Sequence, residues 1–162
     1  QKPSSAASDV YKRQKQISEL ALDITEYLEE SIKLDFTNSK NINKKYNIAY
    51  HSACSMQHGQ KVHDQPFQLL KKTGNNILEI PDGHLCCGSA GTYNLMQEEL
   101  ATELQTRKCE NIKKVNPDII AAGNIGCITQ ISNGTNIPIV HTIELIDWFT
   151  GGKRPTSLNN KI

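Results

Sequence analysis

The chain has 162 residues and a formal net charge of +1, with 37% hydrophobic and 22% charged residues. That length supports one domain with a packed core, and the balance fits a soluble globular chain rather than a disordered or fibrous one. The apolar runs are a few residues long, no charged-then-apolar leader opens the chain, and no Lys/Arg block is extended. These features argue against a bilayer span, a visible secretory signal and a nucleic-acid partner.

Residues 4–14, SSAASDVYKRQ, resemble the translation of a transposase-type sequencing adapter, so residues 1–14 are set aside as non-native. They carry Lys2, Lys12 and Arg13 against Asp9, which leaves 15 basic and 16 acidic residues in the remainder. Residues 15–45 read as an N-terminal helix and a linker. Ile17, Leu20, Ala21, Ile24 and Leu28 form one apolar helical stripe that covers a core, and the Asn- and Lys-rich stretch Thr37–Lys45 follows as a loop.

From Tyr46 a strand–helix rhythm begins. Asn47–His51 is the first expected strand, His63–Lys72 a helix closed by Gly74, and Asn76–Ile80 the second strand. A long helix is expected over Leu95–Lys114, with Met96, Leu100, Leu104 and Ile112 inward and Pro117 ending it. Asp118–Ala122 is the third strand, Ile125–Ile131 a short helix and Pro138–Val140 the fourth strand. Thr142 is the expected N-cap of a last helix, Ile143–Phe149, closed by Gly151-Gly152, with Trp148 in the core. The alternation predicts an α/β, Rossmann-like layered domain with a short, mostly parallel sheet and flanking helices.

Cys54, Cys86, Cys87 and Cys127 each follow a predicted strand end. In an open parallel sheet those ends share one edge, where ligands bind. Cys109 lies inside the long helix and reads as a small buried side chain. Adjacent cysteines bridge each other only with strain, so Cys86-Cys87 argues against a disulfide pair. Thiolates suit zinc, copper(I) and iron–sulfur clusters, and four ligands complete a zinc tetrahedron or a [2Fe–2S] or [4Fe–4S] cluster. No pair of C-x₂₋₄-C knuckles exists here, which weakens zinc. Gly88 and Gly91 in CCGSAG permit close approach of main-chain N–H groups, which can donate to sulfur. A helix starting near Thr92 would favour thiolate charge. The Lys-Ser/Thr ending of a phosphate-binding loop is missing, and no hydrolase nucleophile elbow or zinc-protease motif occurs. A metal-free thiol–disulfide role for Cys86-Cys87 and a structural zinc domain that docks a partner protein stay open.

Four runs carry a resemblance: AYHSACS with QHGQ from Ala49, GHLCCGSAGTYN from Gly83, GNIGCITQ from Gly123 and VHTIEL from Val140. The stretch resembles the C-terminal cysteine-rich (CCG) domain of glycolate oxidase (glycolate dehydrogenase) iron–sulfur subunits. The wider group includes heterodisulfide reductase and lactate-utilisation subunits. The resemblance implies a cysteine-rich domain over residues 46–155 and a polar tail over 156–162. It implies a C-terminal fragment of an oxidoreductase subunit, not active alone. The subunit would relay electrons from glycolate, or from lactate or another 2-hydroxy acid, toward quinone. FAD would sit on a partner flavoprotein subunit only, and ferredoxin-like and further CCG domains would precede this one. The location implied is cytoplasmic, peripheral at the inner membrane through the complex. The cofactor implied is an iron–sulfur cluster of [4Fe–4S] type on Cys54, Cys86, Cys87 and Cys127. The group's motif ends in C-x-x-C, whereas this chain has Asn124 at the first of those positions, where a turn-forming role is expected. His51, His58, His84, Asn124 and His141 are candidates to contact the site around the ligands. The four sulfurs should lie roughly 4–7 Å apart, with Cys109 outside the group.

Overall fold

The computed structural model describes residues 5–37 and 44–159. Residues 1–4 of the segment set aside, most of the expected linker (38–43) and the end of the polar tail (160–162) lie outside them. Four parallel strands, β1 (Asn47–His51), β2 (Asn76–Glu79), β3 (Ile119–Ala122) and β4 (Ile139–His141), form one sheet in the order β2-β1-β3-β4. β1 pairs with β3 from Ile48 against Ile119 to His51 against Ala122. The expected strands thus form within a residue or two of their boundaries.

The two-residue period of the strands sorts their side chains into two cores. Ile48, Tyr50, Ile119, Ala121 and Val140 join Leu69, Leu70, Leu145 and Phe149 on one face. That face is covered by α3 (Gln65–Lys72) and α7 (Thr142–Phe149), with α2 (Ile24–Ser31) packed on α3. Ala49, Ile120 and Ala122 join Cys87, Cys109, Ile112, Cys127 and Ile131 on the other. Here the cover is α5 (Glu98–Lys114) and α6 (Ile125–Ser132). Trp148 stacks on Phe149 at 4.7 Å between ring centres, at the edge of the first core. Among the described residues, no helix is long and apolar enough to cross a membrane.

Three expectations change. The stripe from Ile17 to Leu28 is broken, because Asp23 starts a new helix. Its carboxylate accepts the Thr25 N–H at 2.8 Å, and Glu26 accepts the Asp23 N–H at 2.8 Å. This capping box ends α1 (Ser5–Leu20) before the stripe is complete. Every described side chain of residues 10–20 is exposed, Ile17 at 68%, while Leu28 packs on the core. The long helix divides at Gln97 (φ −135°, ψ 59°) into a single turn, α4 (Tyr93–Met96), and α5. Its buried face is Ala101, Lys108, Cys109, Asn111 and Ile112, whereas Met96 and Leu100 are exposed. α7 is capped by His141, whose Nδ1 accepts the Ile143 N–H at 3.3 Å, and Thr142 is its first residue.

These packings predict opposite costs for two similar truncations. Ile120→Ala, at a fully buried site, should cost about 2–5 kcal/mol in denaturant unfolding. Ile17→Ser should stay within about 0.5 kcal/mol of the parent chain.

Candidate metal centre

The strand order reverses direction between β1 and β3, and the crevice outside their carboxyl ends is where such sheets bind ligands. β1 ends at His51, and Cys54 follows three residues later. β3 ends at Ala122, and Cys127 sits in the first turn of α6. From β2 the chain runs through the loop that carries Cys86-Cys87. All four cysteines line one hollow of about 410 Å³, with Ser55, Ser89, Asn124 and Gly126 among its walls.

Loop packing holds the adjacent cysteines in place. Gly88 has φ +95°, and a Cβ there would sit 2.3 Å from the carbonyl oxygen of Ala101 on α5. Only glycine fits that approach without displacing backbone. In this conformation the Gly88 N–H donates to the Cys86 sulfur at 3.3 Å. The expected help from a helix after Gly91 is slight, since α4 is one turn long. Asn124 instead caps α6, accepting the Cys127 N–H at 3.2 Å through Oδ1, which fixes how Cys127 enters the hollow.

The sulfurs of Cys87 and Cys127 are 3.4 Å apart, closer than the expected spacing, and share a hydrogen bond. One imidazole nitrogen of His51 completes a buried trio whose donor atoms all lie within 4.8 Å of one another. Cys87 is pushed down to about 4, first by its hydrogen bond with Cys127 and then by His51 and the backbone at Ser89. The same bond with Cys87, and burial, push Cys127 up. Burial, and then the charge of Cys86, push the Cys54 thiol up.

Lys108 is the residue that the helical pattern conceals. It falls on the i+4 line from Leu104 to Ile112, yet it is a lysine and 0% exposed. Its Nζ donates to the carbonyls of Asp82 and Gly83 at 3.3 and 3.2 Å, on the loop that leads to Cys86. Burial pulls its pKa down, and the charges of Cys54, Cys87 and Cys86 oppose that pull. A buried lysine held beside the loop that carries Cys86 brings positive charge near the thiols when protonated.

The candidate histidines separate. His51 is in the trio. His84 is exposed and, with His63, lines a second cavity of about 340 Å³ beside Tyr50 and Ser52, where His51 also forms part of the wall. His63 is not among the candidates that the sequence motifs single out. His58 is exposed on the π-helical segment Ser55–Gln60 that follows Cys54. His141 caps α7 and borders a different small cavity with Met56 and Gly123. Cys109 packs in the core between α5 and α6, its sulfur 3.8 Å from the Ile131 carbonyl, and does not line the hollow. Burial pushes its thiol up.

Residues 48–132 match the cysteine-rich domain family named CCG, and the chain belongs to that family. It is 36% identical over 135 residues to the glycolate oxidase iron-sulfur subunit of Escherichia coli (strain K12), an alignment covering 82% of this chain and 32% of that protein. It is 24% identical over 139 residues to lactate utilization protein A of Geobacillus sp. (strain WCH70), covering 82% of this chain and 57% of that one. The chain thus spans about a third of the first relative's length and a little over half of the second's.

Accessibility orders the reactivity of the five thiols. Cys54 and Cys86 are half-buried, whereas Cys87, Cys109 and Cys127 are buried. Brief alkylation of the reduced, metal-free chain should label Cys54 and Cys86 first, as read by peptide mass mapping. Early labelling of Cys87 or Cys127 would contradict this packing.

Proposed function

We propose that the chain is an iron–sulfur electron-transfer module from the C-terminal part of a subunit of a 2-hydroxy-acid oxidoreductase, with glycolate as the substrate of the complex. The observation that carries this reading is the convergence of four cysteines, from the ends of β1, β2 and β3, on one hollow. The names of the relatives support the oxidoreductase setting. The flavin belongs on a partner subunit, the acceptor is quinone, and the assembled complex works in the cytoplasm at the inner membrane. The chain alone does not oxidise glycolate.

The donor set fits an iron–sulfur group. Thiolates are soft donors, the hydrogen bond with Cys127 favours the thiolate of Cys87, and the buried His51 Nε2 has no hydrogen-bond partner among the protein's described groups. When bound, the group supplies one-electron uptake and release. Cys54, Cys86, Cys87 and Cys127 would hold it.

The remaining work belongs to the protein. Cys127 gives up its proton on ligation, so uptake of metal releases protons and weakens as pH falls. The Gly88 N–H and the Lys108 ammonium stabilise negative charge at the sulfurs. Asn124 fixes the entry of Cys127, and the packing of Ala53, Ile120 and Ile131 keeps water from the inner side. With sulfurs 3.4 Å apart, Cys87 and Cys127 would reach neighbouring positions of the group, or one metal ion of it, with little movement.

Anaerobic reconstitution with iron and sulfide should yield a coloured chain containing both iron and acid-labile sulfide. Cys87→Ser and Cys127→Ser should lose most of the bound iron, and Cys109→Ser should keep it. A colourless chain that binds zinc without sulfide would replace this reading with a structural zinc domain.

A further inference from the structure

We propose that the His51 imidazole is a direct ligand to the metal ion held by Cys87 and Cys127, rather than a hydrogen-bonding neighbour of the thiolates. This rests on the iron–sulfur reading only for the kind of metal. The donor set itself stands on geometry.

Three observations carry it. One ring nitrogen of His51 and the two sulfurs lie within 4.8 Å of one another, and the sulfurs are 3.4 Å apart. Bond lengths of ~2.0–2.3 Å to nitrogen and sulfur put tetrahedral donors ~3.3–3.8 Å apart, so gripping one ion asks the sulfurs to spread slightly and any wider nitrogen–sulfur spacing to close by about 1 Å at most. The side chain is also committed to this place. His51 is the last residue of β1 and pairs with Ala122, and its position two residues after Ala49 puts it on the face that holds Cys87 and Cys127. Finally, His51 is 1% exposed, and its Nε2 has no hydrogen-bond partner among the described groups. A buried polar nitrogen left unpaired is costly, and metal ligation relieves that cost.

The position also answers a gap in the sequence. The group's C-x-x-C pattern is reduced here to Asn124-Ile-Gly-Cys127. The Asn124 side chain is occupied in capping α6. A nitrogen donor from the end of β1, beside the buried Cys87 and Cys127 sulfurs, supplies a further ligand in its place.

Cobalt(II) is the probe, added anaerobically to the reduced full chain with 15N-labelled histidine. The wild-type protein should show sulfur-to-cobalt charge transfer together with a strongly coupled histidine nitrogen in pulsed electron resonance. His51→Ala should lose the nitrogen coupling and more than about 100-fold in affinity, beyond the range of a supporting hydrogen bond. His51→Cys, which replaces one donor with another, should restore tight binding and so guards against a mere folding defect. Sulfur charge transfer without a strongly coupled nitrogen in the wild type would overturn the inference, as would absence of cobalt binding. The two proposals fail separately. A chain that reconstitutes with iron and sulfide but shows no histidine coupling keeps the electron-transfer reading and loses this one. A chain that takes cobalt through His51 but never holds sulfide does the reverse.

Discussion

Parallel pairing places the carboxyl ends of all four strands on one edge, and everything at the metal centre follows from that. Residues separated by tens of positions in sequence become neighbours because each follows a strand end. The register is tight enough to matter: His51 stands opposite Ala122, so the segments that leave β1 and β3 start side by side. The reversal of strand order between them opens the crevice in which Cys54 and Cys127 face the loop from β2.

Charge is the second constraint. Four thiols in a hollow cannot all ionise without compensation, and the structure meets this locally. Cys87 and Cys127 share a hydrogen bond, the Gly88 N–H donates to the Cys86 sulfur, and the buried Lys108 sits close enough for the charges of Cys54, Cys87 and Cys86 to oppose the pull of burial on it. Lys108 also ties α5 to the loop through the carbonyls of Asp82 and Gly83, so the same side chain contributes to folding and to the electrostatics of the site. Close packing of Gly88 on Ala101 gives that loop little freedom to retreat.

The strands and the cysteine positions were legible in the sequence because short apolar runs such as NIAYH and DIIAA are bounded by turn residues, and their two-residue period has few competitors. Helix faces were less legible. A 3.6-residue stripe from Ile17 to Leu28 ignores the competing signal of Asp23 and Glu26, whose reciprocal hydrogen bonds begin a new helix. In α5 the apolar letters Met96 and Leu100 lie on the exposed side, and the buried line runs through a lysine. Burial of a charged side chain depends on which carbonyls the fold presents to it, and those come from a loop 25 residues away. Histidine roles were the least legible. His51, His58 and His84 look alike beside their motifs, and only strand parity separates the one that faces the thiols from those at the surface.

The convergence of thiols from different strands is tested most directly by mild oxidation of the reduced, metal-free chain followed by disulfide mapping. Sulfurs already 3.4 Å apart predict a Cys87–Cys127 bond as the first product, with Cys109 left as a free thiol. A first bond from Cys127 to Cys109, or from Cys87 to Cys86 with Cys127 unreacted, would show that the strand ends do not meet as described.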